Sequence, residues 1–279
     1  MIPPSTLAPG SLRGDAPPAD DPGPDPAPWT RFPDILRTWF WRFYDHLGRL
    51  ILYNLLWFFG LWALIGVAAR TPVLYWPLFY LVACAYSLAW AYLVFRIILT
   101  GAGPLREAAA GWKRFALRAL LLTLITGVLI VLGMLNLGFY LKWQGGWRFV
   151  GWVLTGVTVW LLLFWAGAAL YQWPILFFQD IPFWKVLTRS FLLFMDNSGV
   201  VILSLFMGAL LTVAFTLTML PWMLLGPAFF FSFQCVALEK HLLRYRITYQ
   251  DAPLGEVLER LEKERHRTWR EFFRPWEAK

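Results

Sequence analysis

The chain has 279 residues, of which 59% are hydrophobic and only 15% charged. A soluble domain carries about a quarter charged residues, so the composition excludes that class and points to an all-α polytopic membrane bundle. The net charge of +8 follows the same reading, because Lys and Arg gather beside anionic lipids at cytoplasmic span ends, and no nucleic-acid partner is expected.

Residues 1–30 contain Pro3, Pro4, Pro9, Pro17, Pro18, Pro22, Pro24, Pro26 and Pro28 among acidic Asp15, Asp20, Asp21 and Asp25. Nothing there builds a core, so a disordered Pro/Asp-rich tail is expected, with capture by a proline-reading partner as the alternative. The opening lacks the basic start and apolar run of a secretory signal. From Arg31 to Arg49, Phe32, Ile35, Leu36, Trp39, Phe40, Phe43, Tyr44 and Leu47 recur at steps of three and four. Asp34, Arg37, Thr38, Asp45 and His46 fall largely on the other side, which predicts an interfacial amphipathic helix; docking on a protein partner is the alternative.

A span needs about 20 apolar residues. Leu50–Ala69, Thr71–Phe95 and Ala119–Leu141 each fit one crossing. Phe149–Gln179 is uncharged for about 45 Å as a helix, too long for one straight span, and Pro174 is expected to bend its end. Val200–Leu238 is uncharged over about 58 Å, so "MLPW" at Met219–Trp222 is read as a turn between two helices. The expected total is about six spans in a transmembrane domain over 31–245.

With six alternating spans, one side carries fourteen near-membrane cations, from Arg31 through Arg106, Lys113, Arg114, Arg118, Lys185 and Arg189 to Arg246. The other carries three, Arg70, Lys142 and Arg148. That bias predicts a bacterial inner-membrane protein with both termini cytoplasmic. Arg106, Lys113, Arg114, Arg118, Lys185 and Arg189 are expected to be lipid-facing cationic anchors. Residues 246–279 are expected to hold a charged cytoplasmic helix with Leu254, Val257, Leu258 and Leu261 on one stripe, either solvated or docking a partner.

Two islands echo each other. A span ends at "FRIILTGAGP" and an amphipathic stretch with Trp112, Lys113 and Phe115 leads into "LLLTLITGVLIVLG". Later a span ends at "PILFFQDIP", and "FWKVLTRSFLLFMDNSG" leads into "VVILSLFMGALL"; Pro104 and Pro182 mark the same point 78 residues apart. Two half-repeats of equal orientation would place a cavity at their interface, while convergent loop chemistry explains the likeness equally.

Catalysis needs positioned acids, bases or nucleophiles, and no Asp, Glu, Lys or His falls within a span centre. Cys84 and Cys235 lie in apolar runs and no phosphate loop, zinc spacing or serine elbow occurs, so no enzyme, cofactor or metal is expected. Of the polar residues at depth, Asn54, Gln172 and Gln234 stand out. An amide in hydrocarbon needs a partner, so each is expected either to join helices or to face a substrate.

The stretch "LGRLILYNLLWFFGLWALIG", with Asn54-Leu55-Leu56-Trp57, resembles the opening of the YesL family (the DUF624 group) of bacterial membrane proteins. The likeness extends through "WKRFALRALLL" and "FWKVLTRSFLLFMDNSG" and covers roughly residues 39–245. Where that family often has a Thr-Ile-Gly-Pro-Ala turn, "ARTPVLYWP" keeps only Thr71 and Pro72. The resemblance implies a six-span inner-membrane protein beside carbohydrate uptake systems, without assigned catalytic residues. The expected function is therefore non-enzymatic, accessory to solute transport or envelope function and in contact with a transporter complex. The alternative is a facilitator or channel for a neutral solute through a cavity between the half-repeats.

Overall fold

The computed structural model describes residues 32–101, 103–143, 145–218, 223–243, 245, 247–249 and 254–266, and among them it is all-helical. The Pro/Asp-rich tail and the "MLPW" turn lie outside the described residues. Nine α-helices are described: α1 Phe32–Asp45, α2 Leu47–Ala68, α3 Trp76–Thr100, α4 Arg106–Tyr140, α5 Arg148–Gln179, α6 Phe183–Asp196, α7 Ser198–Thr218, α8 Gly226–Leu243 and α9 Leu254–His266. Helix is the expected answer for such apolar runs, because backbone groups in hydrocarbon must be satisfied within their own segment.

Four helices, α2, α3 with its short 3-10 lead, α4 and α5, are long and apolar enough to cross a membrane. A fifth is reached if α6 and α7, bent by 95° at their junction, form one broken span. Their outward faces stay apolar and exposed, as at Leu52, Phe59, Leu135 and Trp160, which suits lipid and not water.

α8 differs from its neighbours. Gly226, Ala228, Phe231, Ser232, Cys235, Val236, Ala237 and Leu238 are buried, and so are Glu239, Lys240, His241 and Leu242. It packs on α1, α2, α3, α5 and α7. The second half of the run read as two spans is thus the central helix of the bundle. A helix apolar on every side is placed best where protein covers it on every side.

The amphipathic lead also changes role. It breaks at His46 into α1 and the start of α2. The buried residues of α1 are Ile35, Thr38, Trp39, Trp41, Arg42 and Phe43, and α1 packs on α8 and α9. Part of its apolar face, Ile35, Trp39 and Phe43, meets this chain's own helices, while Leu36 stays exposed. Trp39 Nε1 donates to Ser232 Oγ at 2.9 Å. The same device recurs where Trp57 donates to Ser87 at 3.0 Å and Trp165 to Thr126 at 3.2 Å. Each joins two helices by pairing an indole N–H that would otherwise be unmet.

The first charged island is no connecting loop. Residues from Arg106 onward form the first turns of α4, a single helix of 35 residues. Gly111 lets α4 approach α3 closely, since a Cβ there would run into the Tyr92 ring. α5 runs unbroken for 32 residues with Pro174 inside it. The second island forms α6, and Asn197 bends it away from α7. The residue 78 positions before Asn197 is Ala119 in "LRALLL", where nothing breaks the helix. The two echoes therefore share a layout but not a shape.

Candidate functional site

α4 and α5 pack antiparallel, and with α7 and α8 they enclose a partly open cavity of about 730 Å³. α4 belongs to the first echo and α5 and α7 to the second, so the cavity lies between the halves. Leu122, Thr126, Trp165, Leu170, Trp173 and Phe231 form much of its wall. Ile130, Met134, Val159 and Leu163 line it and are also exposed. Its mouth therefore opens on the apolar flank. Among the described lining residues none is charged, and none is His or Cys.

Two of the three amides singled out in the sequence meet here, Gln172 from α5 and Gln234 from α8. Gln172 is 2% exposed and its Nε2 has no hydrogen-bond partner. Asn54 sits elsewhere. Its Nδ2 donates to the Met223 carbonyl at 2.8 Å, and its Oδ1 accepts from the Ala228 N–H at 3.3 Å. Ala228 lies in the first turn of α8, so Asn54 caps that buried helix start from α2.

The cationic residues form a separate notch of about 360 Å³ where α4 begins and α5 ends. Arg114 and Arg118 each bridge to Asp180 at 2.5 Å. Arg118 also donates to the Ile181 carbonyl at 3.0 Å, and Arg189 donates to Gln179. Both Arg114 and Arg118 lie over the Phe115 ring, at 5.4 and 5.5 Å. Arg106, Lys113 and Lys185 are exposed. Phe177 lines the notch and Phe231 the cavity. Their rings lie 6.2 Å apart, and Phe115 packs 5.3 Å from Phe177. An aromatic layer thus stands between notch and cavity.

A third cluster was missed in the sequence. Buried Arg42 of α1 donates to buried Glu239 of α8 and, at 2.9 Å, to Glu264 of α9. Arg260 of α9 reaches Glu239 at 3.1 Å and the Leu99 carbonyl at 2.9 Å. The C-terminal helix is therefore docked on its own chain, with Val257 and Leu261 buried. Burial alone lowers the Arg42 guanidinium, but Glu239 and Glu264 outweigh it and hold it above its ordinary value. The available signal was spacing: Arg42 follows Ile35 by seven residues and Trp39 by three, which puts it on the apolar face of α1.

No protein-family model, curated protein or solved structure matches this chain.

Proposed function

We propose that this chain is a non-enzymatic six-span protein of the bacterial inner membrane, with both termini cytoplasmic, that lodges a neutral, largely apolar molecule between its halves. The cavity bounded by α4, α5, α7 and α8 is the observation that carries this reading. Its size falls within the range of small-molecule sites, and its apolar wall with two amides suits a lodged molecule better than a water-filled path. The bias of cations supports the orientation, with α6–α7 and α8 supplying the fifth and sixth crossings. Arg106, Lys113, Arg114, Arg118, Lys185 and Arg189 would meet anionic lipids on the cytoplasmic side. Because Val257 and Leu261 are already covered by this chain, the cavity supports a role better than partner capture by α9 does. A place beside a carbohydrate transporter rests on the YesL resemblance.

Native mass spectrometry of the purified protein tests the reading. The parent chain should retain an added small-molecule mass, and Ala166→Trp, which fills the cavity, should lose it. A parent chain that releases as the bare polypeptide would overturn the proposal.

A further inference from the structure

Resting on the membrane placement proposed above, we infer that the cationic notch is a specific site for one anionic phospholipid, whose headgroup phosphate is held between Arg114 and Arg189. The turn that ends α5 sets these two side chains in place. Arg189 of α6 donates to Gln179, and Arg114 of α4 bridges to Asp180, the next residue. Both arginines line the notch of about 360 Å³. Arg118 bridges to the same Asp180, while Gln179 is neutral and Arg189 has no acidic partner among the described residues. Arg96, which reaches the notch through Tyr249, is already balanced by Glu107. Three arginines therefore meet one carboxylate, and two positive charges are left over. Buried Phe115, Phe177 and Phe178 floor the notch, and an apolar floor strengthens an ion pair held against it. Arginine forks match a phosphate through paired N–H donors.

α6 fixes the depth at which this charge sits. It stands at 95° to α7, so with α7 crossing the membrane α6 lies along the membrane plane. Trp184, Thr188, Leu192 and Met195 share one side of α6 and are exposed, a stripe that suits the headgroup boundary. Lys185 and Arg189 each follow a stripe residue by one position, about 100° round the helix, which sets them along its edge. On α4, exposed Trp112 and Leu117 flank Arg114 in the same way. The anion met at that depth is a lipid phosphate, and basic pockets between membrane helices recognise such headgroups. A zwitterionic lipid brings the same phosphate together with a cation, which the surplus arginine charge repels. A soluble phosphate ester would have no use for the exposed apolar stripe.

The test titrates the delipidated full chain in neutral detergent with phosphatidylglycerol or phosphatidylcholine of equal chain length, and native mass spectrometry counts the bound lipids. The first phosphatidylglycerol should bind at least about 10-fold tighter than phosphatidylcholine, since each cation near a headgroup supplies roughly 5-fold. Arg114→Gln with Arg189→Gln should abolish the preference. Lys142→Gln with Arg148→Gln, which removes the same charge from the opposite ends of α4 and α5, should keep it. Equal binding of the two lipids by the parent would overturn the inference, and so would an equal loss in the two double variants, because charge would then act without a site. Inorganic phosphate, added against chloride at matched ionic strength, should leave the lipid bound; displacement of phosphatidylglycerol by it would overturn the lipid source. The lipid and the neutral occupant of the cavity differ in mass, and Ala166→Trp should keep the lipid. A cavity mass without a phosphatidylglycerol preference would therefore overturn the notch alone. The parent comparison needs no variant, so a variant that failed to fold would not shield the inference.

Discussion

Arg42 and Glu239, 197 residues apart in the chain, form a buried ion pair that ties α1 to the central helix α8. Glu239 also receives Arg260 and Arg42 also reaches Glu264, so one cluster closes α1, α8 and α9 together. Removing one partner of a buried pair leaves the other charge uncompensated, at about 3–5 kcal/mol. Glu239→Gln should therefore cost about 3 kcal/mol in detergent unfolding. Arg260→Met should cost at most about 1 kcal/mol, because the Arg260 side chain is 43% exposed and water screens it. Equal losses in the two variants would contradict this ranking.

Lys240 lies next to that cluster, beyond the apolar part of α8. Burial, and then the Arg42 charge, lower its ammonium to about 8, while Glu239, Glu264 and Asp34 pull it the other way. A lysine lowered on folding is penalised while charged. Below pH 8 both folded and unfolded chains hold the proton, and the penalty is full. Between pH 8 and the ordinary value of 10.5 the folded chain releases its proton first, so the penalty shrinks as pH rises. Lys240→Gln should be more stable than the parent at pH 7, by about 3 kcal/mol at most. The difference should close as unfolding is measured toward pH 10.5. A pH-independent difference would refute the assignment.

Asp180 ends α5 in the left-handed region, at φ 48°. The conformation costs a non-glycine residue on the order of 1–3 kcal/mol. Its bridges to Arg114 and Arg118 are partly exposed, with Arg114 at 59%, and such pairs contribute roughly 0–1 kcal/mol each. Backbone strain therefore decides the outcome. Asp180→Gly should be close to neutral, and Asp180→Ala should be about 1 kcal/mol less stable than Asp180→Gly. Thermal unfolding of the two variants side by side checks this; a glycine variant as weak as the alanine one would place the energy in the bridges instead.

Asn54 meets both a carbonyl and an N–H at the start of α8. Asn54→Ala leaves these two buried backbone groups unmet, so a loss of about 2–3 kcal/mol is expected. Asn54→Asp keeps the acceptor for Ala228 but loses the donor to Met223 and buries a carboxyl, and should be no better. An unchanged melting temperature for Asn54→Ala in detergent would rule out the cap.

The helices were legible because their cause is local. Runs such as Leu50–Ala69 and Ala119–Leu141 carry enough apolar length to predict α2 and the apolar part of α4, whatever surrounds them. The interest of Gln172 and Gln234 was legible for the same reason, since an amide in hydrocarbon is conspicuous anywhere. Their meeting in one cavity was not, because it depends on how α5 and α8 pack. The echo of the islands predicted an interface, and Asn197-Ser198-Gly199 reads as a helix break before the Val200 run, as found where α6 ends and α7 begins; the 95° angle there, with α4 unbroken at the matching point, was not legible.

By itself the sequence determined that the described residues are helical, with several helices fit for a membrane, since hydrophobic length and helical backbone pairing are properties of each segment alone. Only the tertiary structure decided which of those segments faces outward and which lies at the centre. Arg42 with Glu239, Asn54 with Ala228, and the unpartnered Gln172 are outcomes of contacts between distant segments. One helix's periodicity marks which face is buried, but not what that face is buried against.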